Sequence, residues 1–454
     1  MTDFEIYQYS SSFYLYNSGY YIESPDTPLT VELLQEWLER HKQDCIRYRF
    51  LKAMYEGQHP ILSAPKKEDY KPDNRIVCNF AKYIVDTLNG YFIGKPVKTV
   101  CEDKAISAAI EQIEQYNDQD DNNAELSKIC SIYGCGYEFL YRDEIPRHCI
   151  TYLTPLESFV VYDDTVARKP LYGVRYYYDK NNIMHGSIFT ESVEIPFSNE
   201  NDLHFIEEKQ HHFNGVPLIE YIENEERTGA FEHVTSQIIA YDKAISEKAN
   251  DVDYFADAYL KILGAKLDER TLDELRRNRI INMESTTTDQ LIVEFLEKPN
   301  ADTTQENLLE RLETEIFNLS MVANISDKEF GNATGNALSY KLLSMDNLCR
   351  MKERKFVSGM NQRWRLIASD AISGMPADAW MQLQYQFTRN APRNLLEEVQ
   401  TASAMQGITS QKTQLKIISA VDNVEQEIAE IDKETGTEPA DALRADRMTD
   451  DAAE

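Results

Sequence analysis

The 454-residue sequence predicts an α+β protein that is mostly helical, and three observations carry that prediction. Between Gly229 and Asp370 three long stretches repeat apolar residues every three or four positions, the spacing that lines one face of a helix. From Tyr137 to Tyr221 the spacing drops to two and the composition turns to Tyr, Phe, Val and Ile, which reads as antiparallel β-structure. The apolar runs all fall far short of ~18 residues, so no transmembrane helix is expected.

Taken in order, Thr30 to Gly57 reads as one or two amphipathic helices through Leu33, Leu34, Trp37, Leu38, Ile46, Phe50 and Met54. Asp73 to Phe92 is another, ended by Gly94 and Pro96. The acidic stretch Glu102 to Glu125 predicts an exposed helix, Leu126 to Tyr133 follows, and the texture changes at Gly134 and Gly136. In the β region that follows, turns are expected at Tyr162-Asp163-Asp164, Asp179 to Asn182, Ser198 to Asn201 and Asn214-Gly215. That region packs on the preceding helices.

The first long helix carries Phe231, Val234, Ile238, Tyr241, Ile245, Ala249, Val252, Phe255, Tyr259 and Ile262 on one face and is expected to run to Gly264, roughly 50 Å. The second starts at Thr303, which forms a capping box with Glu306, and places Leu308, Leu312, Ile316, Leu319 and Ala323 on one face. The third is capped by Asn336 and carries Leu338, Leu342, Met345, Cys349, Phe356, Met360, Trp364 and Ile367, with Lys352 in its one gap of phase. Such narrow seams need a partner, either a neighbouring copy or an internal bundle. Ala265 to Asn300 interrupts the first two helices with a short charged helix over Leu267 to Arg279, then Ile280 to Glu284, a Thr286-Thr287-Thr288 turn and a strand over Gln290 to Glu297. Ser326 to Asn336 separates the second from the third, and its Gly and Asn residues permit positive φ and a mobile or sharply turned loop.

Beyond the third helix, Met381 to Phe387 reads as a strand returning to the β region. Three short helices follow: Arg393 to Met405 closed by Gly407, Ser410 to Ala420, and Asp422 to Lys433 with a capping box of Asp422 and Glu425. Past Thr435 the chain lacks large apolar residues and is expected to be disordered.

A net charge of −30 weighs against a protein that grips nucleic acid by neutralising phosphates. Val421 to Glu454 holds twelve acids and three bases, a net of −9, which leaves −21 on the rest. An acidic wall facing DNA would repel it and let it slide; the charge equally serves solubility. The first thirty residues lack a basic segment followed by an apolar one, so no secretion signal is expected and the compartment is cytosol-like. Seven irregularly spaced cysteines without C-x-x-C fit neither a disulfide framework nor a zinc ribbon. Cys130, Cys135 and His148-Cys149 read as buried groups rather than metal ligands.

Among candidate chemistries, Gly331-Asn332-Ala333-Thr334-Gly335-Asn336 lacks the Lys of a phosphate loop, and the sequon within it is idle without secretion. Asp202, Glu207 and Lys209 have the outline of a Mg²⁺ nuclease triad, a spacing common by chance in so acidic a chain. Asp163-Asp164 reads as a turn and His211-His212 as a solvated loop. The expectation is a protein without cofactor, metal or catalytic residues. Positive charge gathers in Leu338 to Leu366, where seven bases oppose Asp346 and Glu353, and at Arg270, Arg276, Arg277 and Arg279. Lys341 and its neighbours face DNA or an adjacent subunit's acids, or else are solvated helix faces; the arginines meet a partner protein or solvent.

The chain resembles the portal proteins of tailed bacteriophages, in their Gp6-like (SPP1-type) branch. The resemblance rests on Asn74-Arg75-Ile76-Val77, Tyr91-Phe92-Ile93-Gly94-Lys95-Pro96, Asn224-Glu225-Glu226-Arg227 and Tyr241-Asp242-Lys243 through Ala249-Asn250-Asp251. It continues through Gly335-Asn336-Ala337-Leu338, Tyr340-Lys341-Leu342-Leu343, Lys352-Glu353-Arg354-Lys355-Phe356 and Phe387-Thr388-Arg389-Asn390. No one motif is diagnostic; their order over about residues 30 to 435 is. The resemblance implies a portal fold: long stem helices, a small α/β clip insert, an α+β wing and a helical C-terminal crown. It implies a wing over 1–228 joined by a helix and strand over 338–390, stem helices over 229–263 and 301–325, and a clip over 264–300. A tunnel loop over 326–337, a crown over 391–435 and an acidic tail over 436–454 complete the division.

The implied function is a dodecameric ring at the capsid vertex, assembled in the host cytoplasm and carried in the virion. Double-stranded DNA is packaged through it by the terminase large subunit and later ejected. Other implied partners are the head-completion adaptor and the major capsid and scaffolding proteins; no membrane is involved. Lys328, Asn332, Thr334, Asn336 and Lys341 would face DNA, and Arg270, Arg276, Arg277 and Arg279 would bind the clip's partners. A nuclease using Asp202, Glu207 and Lys209, and an adaptor without a channel, stand as rivals.

Overall fold

A computed structural model describes residues 21–68, 71–144, 146–256, 260–263, 292–295, 302–325, 335–390, 395–418, 420–421 and 424–435. It is α+β and mostly helical. Two compact units divide the chain: Met1–Ala323 with Ser344–Arg389, and Asn324–Leu343 with Asn390–Glu454.

The first unit opens with β1 (Tyr21–Glu23) and α1 (Val31–Tyr55), one continuous helix whose N-cap, Thr30, accepts the Leu33 N–H. Next comes α2 (Phe80–Ile93), capped by Asn79 and followed by Gly94. Helix was expected from Asp73, but residues 74–78 are drawn out straight because alternate backbone N–H groups there are bound by side chains of a later helix. After β2 (Lys98–Val100), the acidic stretch forms two helices rather than one: α3 (Lys104–Tyr116), capped by Asp103, and α4 (Gln119–Tyr133). The break is Asn117-Asp118, where Asp118 takes φ of 50° and Asn117 turns its side chain to the backbone of Ile113, His148 and Ile150.

The β region runs through β3 (Cys135–Arg142), β4 (His148–Leu153), β5 (Ser158–Asp163), β6 (Pro170–Tyr178), β7 (Met184–Phe189), β8 (Val193–Ser198), β9 (His204–Phe205), β10 (Lys209–Gln210) and β11 (Leu218–Ile222). One sheet has the order β1-β5-β6-β7-β8-β10 with β9 also on β8, and a second has the order β11-β3-β4. All pairs are antiparallel except β1 on β5. The turns fall where Asx residues and glycine permit them: Asp179 accepts the Asn181 and Ile183 N–H groups, and Asn182 and Asn201 hold positive φ.

A 3₁₀ turn (Glu232–Val234) leads into α5 (Thr235–Ala256). The first long helix therefore stops short of the expected Gly264. Leu260–Leu263 instead forms β12, antiparallel to β13 (Ile292–Phe295). The strand expected around 290–297 takes as its partner residues that the helical pattern had claimed, because a short apolar run suits either geometry. α6 (Asp302–Ser320) starts before Thr303, and the Glu306 carboxylate pairs with Lys248 instead of closing a capping box. α7 (Gly335–Ser369) likewise begins ahead of Asn336. β14 (Gln384–Gln386) pairs with β2, not with the large sheets.

The core of this unit lies where α2, α4 and α7 meet β3 and β11. Phe92 stacks on Phe387 at 5.3 Å, and Phe356 lies 4.9 Å from the Tyr221 ring. Gly359 on α7 is required because a Cβ there would strike that ring. Gly134 ends α4 at φ of 89° with the Arg227 carbonyl in the space of a Cβ. On the other side, Trp37 and His41 of α1 pack against Tyr172 and Phe159 of the large sheet.

In the second unit α8 (Leu395–Ala404), α9 (Gln411–Leu415) and α10 (Val424–Thr435) fall where three short helices were expected, α9 ending well before Ala420 and α10 running two residues past Lys433. Ser410 caps α9, and Gln414 donates to the Met405 and Thr409 carbonyls of the Gly407 turn. Glu425 pairs with Lys412. Asp422 and the tail past Thr435, expected to be disordered, lie outside the described residues.

Candidate functional site: the α5–α6 hairpin and its surroundings

A twelve-residue connector, 223–234, joins β11 to α5 and carries one member of each of three buried ion pairs. Arg227 pairs with Glu220 of β11 at 2.7 Å, Lys352 of α7 with Glu223 at 2.7 Å, and Arg47 of α1 with Glu232 at 2.6 Å. Arg47 also donates to the Arg227 carbonyl, and Lys352 to the Ser127 carbonyl and the Ser131 hydroxyl. Arg227 sits at φ of 55° and Asn224 Oδ1 accepts the Thr228 N–H, so the turn is closed by its own side chains.

Beyond the connector, the buried face of α5 is polar. Asp242, Ser246 and Asn250, at i, i+4 and i+8, accept the backbone N–H groups of Cys78 (2.8 Å), Ile76 (2.9 Å) and Asn74 (2.6 Å). Two residues of extended chain and four of helix both advance about 6 Å, which is why the two periodicities mesh. Asp242 also faces His59 Nδ1 at 2.5 Å. Along the seam expected to be buried, Ile238 is covered, Tyr241, Ile245 and Ala249 are half-buried, and Val252 is 63% exposed.

α6 packs on α5 and α2 through Leu309, Ile316 and Phe317, whose ring lies 5.8 Å from Phe80 and 5.5 Å from Tyr83. Gln305 donates to Asp251. The seam expected there is displaced: Leu308 is 51% and Leu319 55% exposed. Both lie on the outward side of the helix with half-buried Leu312 and the exposed Arg311–Glu315 pair.

Two of the seven bases on α7 depart from both expected readings. Lys352 and Arg363 are buried; Arg363 is paired to Glu138 by bonds of 2.6 and 2.8 Å and donates to Asn123 Oδ1 at 2.7 Å. Arg350 pairs with Asp346 and Lys355 with Glu225, while Arg354, Arg365 and Lys341 are exposed. The phase gap at Lys352 was a legible sign of a buried cation. The partners Glu138, Glu223 and Glu232 carried no such sign, since an acid in a strand or turn reads as solvated. Lys328, Asn332 and Thr334 of the loop, and Arg270, Arg276, Arg277 and Arg279 of the insert, lie outside the described residues; the backbone of Asn336 falls in the first turn of α7.

Asp202, Glu207 and Lys209 are all exposed about β9 and β10. Among the described residues no three His, Cys, Asp or Glu side chains are grouped to hold a metal ion. Cys130, Cys135 and Cys149 are buried, and burial pushes the Cys135 thiol up to about 12, which leaves it protonated and unreactive. Asp163 closes its turn by accepting from Thr165 and Lys169. His211 is half-buried, with Nε2 donating to the Thr190 carbonyl, where a solvated loop was expected. No helix among the described residues is long and apolar enough to cross a membrane.

Comparison with known proteins bears on this arrangement. The chain is 24% identical over 451 residues to the portal protein of Bacillus phage SPP1, covering 91% of this chain and 87% of that one. It is 24% identical over 220 residues, 48% of each chain, to the portal protein of Clostridium phage phiCD119. The family profile described as phage portal protein, SPP1 Gp6-like, matches residues 34–439, which takes in the connector, both helices of the hairpin and the whole of α7. A match of that extent assigns the chain to the family: it is a phage portal protein of the SPP1 Gp6-like type.

Proposed function

We propose that copies of this chain stand side by side as a dodecameric ring whose axial channel passes double-stranded DNA at one vertex of the capsid. A separate terminase large subunit drives packaging through it, so the chain itself is a conduit and not an enzyme. The ring is assembled in the host cytoplasm with scaffolding and major capsid proteins and later receives the head-completion adaptor. In this division 1–228 and 338–390 form the wing, 229–263 and 301–325 the stem, 264–300 the clip, 326–337 the tunnel loop and 391–435 the crown. Lys328, Asn332, Thr334, Asn336 and Lys341 face DNA, and Arg270, Arg276, Arg277 and Arg279 meet the terminase or adaptor.

The observation that carries this reading beyond family membership is the outward side of α6. Leu308 and Leu319 lie along it eleven residues apart, about three helical turns, and an acidic helix keeps such residues exposed at a cost unless another surface covers them. A net charge of −30 suits a bore that DNA must slide through without capture. Negative-stain imaging of the purified full chain tests the reading. Rings with a central opening are expected, and solitary particles at all concentrations would remove the channel.

A further inference from the structure

The geometry points to a polar clamp that fixes the direction and rotation of α5, so that its half-exposed seam meets a neighbouring copy at one angle; the purpose rests on the ring reading, the clamp itself does not. Apolar contacts are non-directional and let a helix roll or slide, whereas hydrogen bonds and forked ion pairs are satisfied in one geometry only. Buried ion pairs contribute little net stability over apolar residues of similar size, and their best-attested use is to fix register.

Both holds on α5 are of the directional kind. At its entry, Arg47 makes bonds of 2.8 and 2.6 Å to the two oxygens of Glu232, whose carboxylate also accepts the Gly229 N–H at 2.8 Å. Ala230 N–H donates to the Ser131 carbonyl at 2.8 Å, and Lys352 holds Glu223 a few residues earlier. α1, α4 and α7 thus each grip the connector. Along its length, Asp242, Ser246 and Asn250 hold three alternate N–H groups of the 74–78 strap, and a turn of α5 about its axis would break all three together. The ordinary filling for such a helix face is Leu or Ile. Here the filling is a carboxylate, a hydroxyl and an amide, each accepting one backbone N–H of the strap.

The test uses the full chain with two variants. One is Ser246→Ala with Asn250→Ala, which leaves all charges in place. The other is Arg47→Met with Glu232→Leu, an apolar replacement of similar volume. Hydrogen exchange is followed in residues 74–78 and 223–256 and, in the same molecules, in β5 to β7. The clamp predicts exchange at least about tenfold faster in the first two segments, with the sheet unchanged and the melting temperature held within a few degrees. Unchanged exchange in those segments, or an equal rise in the sheet, would overturn it. If the charge-free variant fails to fold, the alanine pair decides by the same criterion. Imaging separates the two claims: wild-type chains that form no rings end the channel reading and leave the exchange result standing. Folded clamp variants that form rings as well as wild type overturn the orienting purpose.

Discussion

α7 and α6 present the same pattern in sequence and different surfaces in the fold. On α7 the expected stripe from Leu342 through Met345, Cys349, Phe356, Met360 and Trp364 to Ile367 is buried throughout, with Lys352 buried in its gap. On α6 only Ile316 of the expected set is fully covered, and Leu309, one position off, is buried in place of Leu308. The difference lies in the surroundings. The body of α7 is flanked by helices and a sheet, which cover a broad stripe. α6 rests mainly on α5 and one end of α2, which cover a narrow one. Periodicity reports that a helix has an apolar side; the neighbours decide how much of that side is closed.

The largest expected effect breaks the comparison at Arg363. Arg363→Ala leaves Glu138 buried without its cation and should cost about 3–5 kcal/mol in urea unfolding. Arg363→Met with Glu138→Leu should recover most of that loss, since the charge and its countercharge leave together. The matching change on the exposed pair of α6, Arg311→Ala, should stay within about 0.5 kcal/mol. Equal losses at the two sites would abolish the distinction between a closed and an open helix.

Acid should weaken the body through His41. Its Nε2 donates to the Pro155 carbonyl at 2.9 Å and its Nδ1 accepts from Tyr176 at 2.8 Å, an arrangement only the neutral ring can make. Burial lowers its pKa from 6.5 to about 4. Unfolded chains therefore take up this proton below about 6.5 and folded ones only below about 4, so stability is complete above the first value and lost as pH falls towards the second. The loss should reach about 3 kcal/mol, and a His41→Gln variant should lack that part of the slope in thermal melts. Somewhat smaller is Gly359→Ala. Alanine favours an exposed helix by ~1 kcal/mol, but here the methyl meets the buried Tyr221 ring, so a net destabilisation of about 1–3 kcal/mol is expected.

The limits of the sequence follow the same line. Helices at 31–55, 302–320 and 335–369 were legible because their patterns are long, and the turns at Asp179 and Asn201 because Asx chemistry is local. Three features were not. The strap at 74–78 follows a helical pattern but is held extended by side chains some 170 residues away. Leu260–Leu263 continues a helical phase yet finds a strand partner thirty residues on. The polar buried face of α5 was hidden because Asp242, Ser246 and Asn250 look like solvent-facing residues, and only the backbone laid against them makes them interior. Sequence thus reads local chemistry well and long-range polar pairing poorly, which is why Lys352 was conspicuous in its apolar stripe and Glu223 was not.

The smallest expected effect on the monomer is the most informative about assembly. Leu308→Ser with Leu319→Ser removes apolar area that the isolated chain already leaves half in water, so each change should move unfolding by no more than about 0.5 kcal/mol. Serine at each position in fact lessens exposed apolar surface, and aggregation of the free chain should fall. If another copy covers these residues, the same substitutions remove a buried leucine from every contact around the closed assembly, and the loss repeats at each one. Sedimentation of the variant should then show folded single chains at concentrations where the parent sediments as a ring. A variant that sediments with the parent would return α6 to the class of ordinary surface helices, and the contrast with α7 would reduce to burial alone.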